Sequence, residues 1–241
     1  MSLFARPVPP SRRGGDDVES PFWISYADLM TALMVLFLVA LTVALFAVTQ
    51  TVSEEQAHKD RRSDEIADFM RRIRRLTEKH PGITLRSTAI DFGERARFHS
   101  NSHRLDSDQV RLLRGFVPEV LALAREPLGA RWLKRIAVVG YADARGSYLY
   151  NLNLSLQRSQ RVLCALLVPH AEITPLSDVD RQQVRQLFIV SGASFNALKN
   201  SPEESRRIEL RLEFYESDEP VASAAPPAGD DDSRCPLDSA A

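Results

Sequence analysis

The 241-residue sequence lacks the local patterns that identify most enzymes. It has no glycine-rich phosphate loop, no HExxH metal-binding helix and no nucleophile elbow. Its two cysteines, Cys164 and Cys235, are too few for a disulfide framework and lack the spacing of zinc ligands. Its 31 basic and 32 acidic residues leave no cationic excess for phosphates, which argues against direct nucleic-acid binding. We therefore expect a protein that is not an enzyme and has no metal or organic cofactor.

One long apolar run is present. Residues 29–48 (LMTALMVLFLVALTVALFAV) carry no charge and, as a helix, would extend roughly 30 Å, the thickness of a bilayer core. A buried core helix is rarely apolar on every face over this length, and a signal peptide has a shorter apolar region. The pattern predicts a transmembrane helix over residues 20–50 that starts at Ser20-Pro21. Residues 1–19 are predicted to be a disordered tail.

The segment after the apolar run is strongly charged. Residues 51–82 carry apolar side chains at helical spacing and end at a His-Pro-Gly breaker. The pattern predicts a helical linker, either an amphipathic helix or a short coiled coil. A solvated helix with one modest packing face fits the pattern equally well.

Residues 83–216 are predicted to form one α+β domain, because apolar runs with strand and helix periodicity follow each other. Residues 217–241 are rich in Ala, Pro and Asp and are predicted to be a flexible tail. The expected elements of the domain are a strand over 88–98 with a turn at Gly93, a helix over 106–125, a strand over 135–141, helices over 153–167 and 178–186, and strands over 187–190 and 208–215.

Two motifs resemble known families. Residues 22–34 (FWISYADLMTALM) resemble the membrane helix of MotB-type stator subunits, and residues 140–162 (GYADARGSYLYNLNLSLQRSQRV) resemble the signature of OmpA-like peptidoglycan-binding domains. The stretches DFGERARF and SRRIEL resemble the first and last strands of that domain. The resemblance covers roughly residues 21–50 and 84–216, and the order of the two motifs on one chain is more specific than either alone. It implies that the C-terminal domain is an OmpA-like α/β sandwich.

The sequence of these motifs is more similar to one branch of this group. FWISYADLMTALMVLFLV, SYLYNLNLSLQRS and the short linker resemble the MotB-like B subunits of Zorya anti-phage defence systems. Flagellar MotB proteins usually carry a longer linker with a recognisable plug. A flagellar stator subunit and a passive membrane-to-wall tether remain the alternative functions.

The stator resemblance implies an ion-translocating role for Asp28. A charged carboxylate in a membrane helix costs several kcal/mol, so such a residue is a functional candidate by default. Ser25 and Thr31 lie three residues before and after it, on the same helix face. In the stator family a dimer of B subunits sits inside a pentamer of MotA-like A subunits. The resemblance implies the same partners here. H⁺ is favoured over Na⁺ as the translocated ion, because the helix offers a single carboxylate and few other oxygen ligands nearby; Na⁺ remains the alternative.

The second motif implies binding to the diaminopimelate stem peptide of peptidoglycan. In the OmpA-like family the residues that match Asp143 and Arg158 hold the ammonium and a carboxylate of the ligand. Asn151 matches a position that adds an amide contact, and Arg206 matches a polar position at the edge of the site. The usual His-Thr before the aspartate is Tyr141-Ala142 here. The alternative is that Asp143 and Arg158 form only a structural salt bridge.

Wall binding implies an inner-membrane protein with a cytoplasmic N-terminus and a periplasmic C-terminal domain. The positive-inside count itself leans the other way, although long domains translocate regardless of such charges. In an oxidising periplasm Cys164 and Cys235 could form a disulfide that ties the tail to the domain. A buried free thiol at Cys164 is the alternative.

Overall fold

The structure, a computed structural model, describes residues 20–170, 172–216 and 234–238. The predicted disorder of residues 1–19 and of most of residues 217–241 lies outside the described residues. So does the predicted capping role of the Ser20 side chain. The chain divides into two compact units, Met1–Ala57 and His58–Ala241. The predicted domain limits at residues 50 and 82 remain predictions.

The first unit contains most of the apolar part of helix α1, which spans Ser20–Glu78. Its most apolar 18-residue stretch has a mean hydropathy of 2.7, and none of that stretch is buried against other parts of the protein. By length and composition this helix can cross a membrane. The exposure of its apolar side chains fits a lipid-facing helix better than the core helix of a soluble protein.

The second unit is built on a five-stranded sheet with the strand order β1-β2-β5-β3-β4. Strands β3 and β4 are parallel, and the other neighbours are antiparallel. The strands are β1 Thr84–Arg86, β2 Ala89–Asp91, β3 Leu133–Gly140, β4 Phe188–Gly192 and β5 Ile208–Phe214. The helices that follow α1 are α2 Ser107–Arg125, α3 Pro127–Trp132, α4 Tyr148–Leu167, α5 Asp178–Leu187 and α6 Pro202–Ser205. The predicted α+β class is confirmed.

The main core of this unit lies between one face of the sheet and the helices. On β3, Ile136 and Val138 point into this core, while Ala137 and Val139 lie on the opposite face. The end of α1 contributes a fully buried stripe of Phe69, Ile73 and Leu76. The apolar side of the predicted helical linker therefore packs against the C-terminal domain. Residues from 58 onward belong to the same compact unit as that domain.

Side-chain caps explain where several helices begin. Asp106 accepts a hydrogen bond from the backbone N–H of Gln109, whose side chain returns one to the N–H of Asp106, so α2 starts with a complete capping box. Ser147 caps α4 and Ser177 caps α5 in the same position. The helices predicted from residues 106, 153 and 178 are confirmed, with α4 beginning five residues earlier.

The predicted strand over residues 88–98 is wrong beyond Asp91. Asp91 Oδ1 accepts a hydrogen bond from the N–H of Gly93, and Gly93 has a φ of 56°, which side-chain-bearing residues rarely adopt. The chain therefore turns and forms a 3₁₀ helix over Gly93–Ala96. Strand β1 and helix α3 were not predicted, because three-residue strands and six-residue helices are too short to show a period.

The structure contains a disulfide bond between Cys164 on α4 and Cys235, which are 71 residues apart in the sequence. Cys235 is buried, and the 3₁₀ turn after it, Pro236–Asp238, places Asp238 2.7 Å from Arg161 in an ion pair. Of the two alternatives for the cysteines, the structure has the disulfide. It ties the segment 234–238 to helix α4.

Candidate functional site

A cavity of about 200 Å³ lies where strand β3 ends and helix α4 begins. Asp143 follows β3, and residues 151, 154 and 158 of α4 share one helix face at spacings of three and four. The remaining walls come from the loop before α2 and the turn before α4. The lining residues are Ser100, Asn101, Asp143, Arg145, Gly146, Tyr150, Asn151, Leu154 and Arg158.

Arg158 is the most deeply buried charged residue of the cavity, with 0 % of its surface exposed. Its guanidinium donates to three backbone carbonyls, those of Ser102 at 2.9 Å, Tyr141 at 2.6 Å and His99 at 3.2 Å. Burial lowers the pKa of Arg158 to about 10, so it still carries its charge at neutral pH. Within the described residues no carboxylate lies within salt-bridge distance of it.

Asp143 faces the same cavity and has three hydrogen-bond donors. Its Oδ1 accepts from the N–H of Arg145 at 3.1 Å, and its Oδ2 accepts from the guanidinium of Arg145 at 2.8 Å and that of Arg206 at 2.9 Å. Burial raises the pKa of Asp143, but the hydrogen bonds from Arg145 and Arg206 outweigh it and bring the pKa down to about 2. Asp143 is therefore a fixed negative charge beside a buried positive one.

Arg206 bonds the Asp143 carboxylate but is not among the residues that line the cavity. Its three guanidinium nitrogens bond the carbonyl of Phe98, the carboxylate of Asp143 and the carboxylate of Glu203, at 2.9 to 3.0 Å. With only 9 % of its side chain exposed, Arg206 has little room to move. It links the loop before α2, the end of β3 and helix α6 at one point.

Asn151 shapes the turn that carries Asp143. It is 1 % exposed, and its side-chain amide donates to the carbonyl of Arg145 at 2.8 Å. Gly146, in the same turn, has a φ of 98°. One amide donor of Asn151 is therefore already used to hold the turn in place.

The unusual residue before the site, Tyr141, faces away from the cavity. Its ring lies on the opposite side of the sheet with Ala137 and Val139, and its hydroxyl donates to Glu209 at 3.0 Å. Arg207 stacks on the ring at 4.0 Å. Burial, together with the charge of Glu209, raises the pKa of Tyr141 to about 12. Only the carbonyl of Tyr141 contributes to the site, by accepting from Arg158.

The structure brings Asp143, Asn151 and Arg158 together at one cavity and places Arg206 directly behind Asp143. The structural salt bridge between Asp143 and Arg158 is not formed, because Arg206 and Arg145 occupy the carboxylate while backbone carbonyls surround Arg158. Sequence reasoning missed Arg145. Its position could have indicated it, because the side chain of an aspartate commonly accepts a hydrogen bond from the backbone N–H two residues later.

At the membrane end, the side chain of Asp28 is exposed on the surface of α1. The hydroxyl of Thr31 donates to the backbone carbonyl of Asp28 at 2.9 Å, so in this structure it does not contact the carboxylate. The side chain of Ser25 lies outside the described residues. The roles of Asp28, Thr31 and Ser25 remain predictions.

The chain combines an apolar N-terminal helix with an α+β domain, and its N-terminal region matches a family of MotB-like membrane proteins. Residues 10–57 match the family described as "Membrane MotB of proton-channel complex MotA/MotB". Over 217 residues the chain is 40 % identical to the Zorya protein ZorB of Escherichia coli O139:H28 (strain E24377A / ETEC), covering 88 % of each sequence. The chain belongs to the ZorB family of Zorya proteins.

Solved structures show more distant likenesses. The periplasmic domain of Helicobacter pylori MotB (residues 97–256) has a TM-score of 0.38 at 15 % identity, covering 56 % of this chain and 90 % of that one. The peptidoglycan-associated lipoprotein from Burkholderia pseudomallei has a TM-score of 0.34 at 18 % identity, covering 49 % of this chain and 88 % of that one.

Proposed function

We propose that this chain is the B subunit of a proton-driven, stator-like membrane motor that acts in anti-phage defence and is anchored to peptidoglycan. The relationship to a Zorya protein supports the defence role over the flagellar one. The match of residues 10–57 to a component of a proton-channel complex supports a role in ion movement.

The observation that carries the motor role is Asp28. This carboxylate lies at the start of the apolar stretch of α1, inside the segment that matches the proton-channel family. A group that alternates between a charged and a neutral form can take up a proton on one side of a membrane and release it on the other. Each proton that crosses 100 mV releases about 2.3 kcal/mol, which is available for movement of a partner.

The same family match supports the partners. As a component of a MotA/MotB-type complex, the chain would act as a homodimer inside a pentamer of MotA-like A subunits. Two copies of Asp28 would then alternate in contact with the surrounding ring. The translocated ion is H⁺, and Ser25 and Thr31 would line its path.

The cavity at Asp143 supports the anchor role. Arg158 is a buried cation whose hydrogen bonds, within the described residues, all go to neutral carbonyls, and an anion entering the cavity would compensate its charge. Asp143 lines the same cavity and offers a fixed negative charge for an ammonium group. The diaminopimelate stem peptide of peptidoglycan carries both groups on one molecule. Asn151 and Arg206 would keep the two charges in place.

Wall binding sets the topology of the chain, because peptidoglycan lies outside the inner membrane. The N-terminus would be cytoplasmic, α1 would cross the inner membrane once, and the second unit would lie in the periplasm. The disulfide between Cys164 and Cys235 is compatible with that oxidising compartment.

The proposed function is tested by Asp28→Asn in a phage-protection assay. The substitution keeps size and hydrogen bonding but removes the titratable proton site, so we expect protection to be lost while membrane levels stay normal. Asp64→Asn is the matched control, since Asp64 is an exposed aspartate of the same helix beyond the apolar stretch. Full protection by Asp28→Asn would contradict the motor role and leave a passive tether.

A further inference from the structure

Arg145 occupies the place where a cationic ligand of the cavity would bind. Its guanidinium lies 2.8 Å from Asp143 Oδ2, and its backbone N–H bonds Oδ1 of the same carboxylate. Arg206 takes the second position on Oδ2. A carboxylate oxygen accepts about two hydrogen bonds, so Oδ2 is fully used in this structure.

Of the three donors on Asp143, only the side chain of Arg145 is free to leave. The Arg145 backbone is fixed by the turn that Asn151 holds, and Arg206 is tied by three hydrogen bonds. The Arg145 side chain is 64 % exposed, and within the described residues Asp143 is the one hydrogen-bond partner of its guanidinium. The pair joins an exposed guanidinium to a largely buried carboxylate, so the guanidinium end can exchange with water or a competing ion more easily than the enclosed Arg206 can.

We propose that Arg145 is a specificity-determining residue, because an ammonium group reaches Oδ2 of Asp143 only by displacing the Arg145 guanidinium. This inference rests on the proposed wall-binding function. A ligand that offers a carboxylate to Arg158 but no ammonium leaves the Arg145–Asp143 pair intact. A ligand that offers both groups must break the pair and gains the contact with Asp143 in return.

Glu203 is a second negative charge near Arg145. The hydrogen bond to Asp143 is the main cause of the raised pKa of Arg145, and the charge of Glu203, whose carboxylate bonds Arg206, adds to it. A guanidinium that leaves Asp143 therefore stays beside a second negative charge. The arrangement is a competition between an internal cation and an external one for the same carboxylate.

The competition predicts how affinity changes when Arg145 is removed. A ligand that binds only the open form has its affinity reduced by the fraction of molecules in which the site is open. For an ion pair whose guanidinium is exposed, we expect a reduction on the order of twofold to fivefold. Arg145→Ala should therefore tighten the binding of a ligand with an ammonium group by about that factor.

Two probes separate this competition from a general change in charge. Meso-diaminopimelate carries two ammonium and two carboxylate groups, and pimelate is the same dicarboxylic acid without the amines. Isothermal titration calorimetry on the full-length protein in detergent would measure both. We expect Arg145→Ala to bind meso-diaminopimelate about twofold to fivefold more tightly and pimelate no more tightly. Arg71→Ala, which removes a 65 %-exposed arginine paired with Asp68, should change neither affinity.

Equal or weaker binding of meso-diaminopimelate by Arg145→Ala would overturn the inference, because Arg145 would then be a ligand contact or irrelevant to the site. A similar gain for both probes would also overturn it. Failure of the proposed wall binding looks different. In that case the wild type and Arg145→Ala would bind meso-diaminopimelate no better than Asp143→Asn does.

Discussion

Arg158 and Asp143 line the same cavity with opposite charges but do not pair with each other. Burying an unpaired guanidinium is costly unless its donors are satisfied, and three backbone carbonyls satisfy them here without neutralising the charge. Asp143 is likewise held by donors that are not Arg158. Asp143 and Arg158 therefore do not neutralise each other, and a zwitterionic ligand could contact both once Arg145 leaves Asp143.

This arrangement makes Asp143→Asn the cleanest test of wall binding. The amide has the shape of the carboxylate but cannot hold an ammonium group by charge, so we expect pull-down on purified peptidoglycan to be lost while a cooperative thermal melt remains. Asp178→Asn is a matched control. Like Asp143, Asp178 pairs with a nearby arginine, Arg181, but it is exposed. Retained pull-down by Asp143→Asn would show that Asp143 does not contact the wall.

The low pKa of Asp143 predicts a pH dependence of stability. Because its pKa of about 2 in the folded protein is below the ordinary value of 3.8, ionised Asp143 stabilises the fold above about pH 4. That contribution, about 2 kcal/mol at most, is lost as the pH falls from about 4 to 2. Thermal melts should therefore show the wild type more stable than Asp143→Asn at neutral pH, with the gap closing in that range. A constant gap would contradict the assigned pKa.

At the scale of elements, the site depends on how closely strand β3 and helix α4 approach each other. A Cβ atom added to Gly140 would lie 2.0 Å from the backbone oxygen of Ser155, and one added to Gly192 would lie 2.6 Å from the Ser155 hydroxyl. The two strands and the helix can therefore touch only through glycine. This contact places Arg158, one turn beyond Ser155, at the end of β3.

The contact predicts opposite effects of two glycine substitutions. Gly140→Ala should destabilise the second unit by about 1–3 kcal/mol or more, because neither backbone can give way. Gly115→Ala is the control, since no atom lies within 4 Å of the added Cβ and alanine favours the interior of helix α2 by up to about 1 kcal/mol. Chemical denaturation of both variants measures the difference. A Gly140→Ala protein as stable as the wild type would refute the close contact.

The helices and central strands could be predicted from sequence because each has a clear period and a marked start. Asp106 and Ser177 cap helices that were predicted to begin at or next to these residues, whereas the start of α4 at the Ser147 cap was predicted five residues too late. The short elements β1 and α3 could not be predicted, since their formation depends on neighbours distant in the chain. Strand β1 exists only as the partner of β2, and α3 is held by Glu65 and Arg72 of α1.

The residues of the candidate site could be located from sequence, but their pairing could not. The motif placed Asp143, Asn151 and Arg158 at one strand end and one helix start, which fixes them near each other. Which cation meets Asp143 depends on Arg206, 63 residues away, and on a turn that brings Arg145 back onto the carboxylate. Such contacts follow from the assembled fold and have no local period.

For the whole molecule, the two ends of the chain have complementary proposed tasks. A B subunit that couples proton flow at Asp28 to movement of an A ring must be held against rotation, and the cavity at Asp143 and Arg158 would supply the fixed point through the wall. A motor would need both the proton coupling and the wall anchor to produce torque. Loss of either Asp28 or Asp143 should therefore abolish defence, although only the first should stop proton movement at its source.

The most direct test of a proton-driven motor measures cytoplasmic pH during phage infection. A ratiometric pH-sensitive fluorescent protein reports this pH in cells that carry the complete defence system. We expect infection to acidify cells with the wild-type chain, because protons would enter through Asp28 in the proposed motor. Cells with Asp28→Asn at equal membrane levels should show no such acidification and no protection, and cells with Asp64→Asn should behave as wild type. An Asp28→Asn protein that acidifies and protects cells as the wild type does would contradict a proton-driven motor.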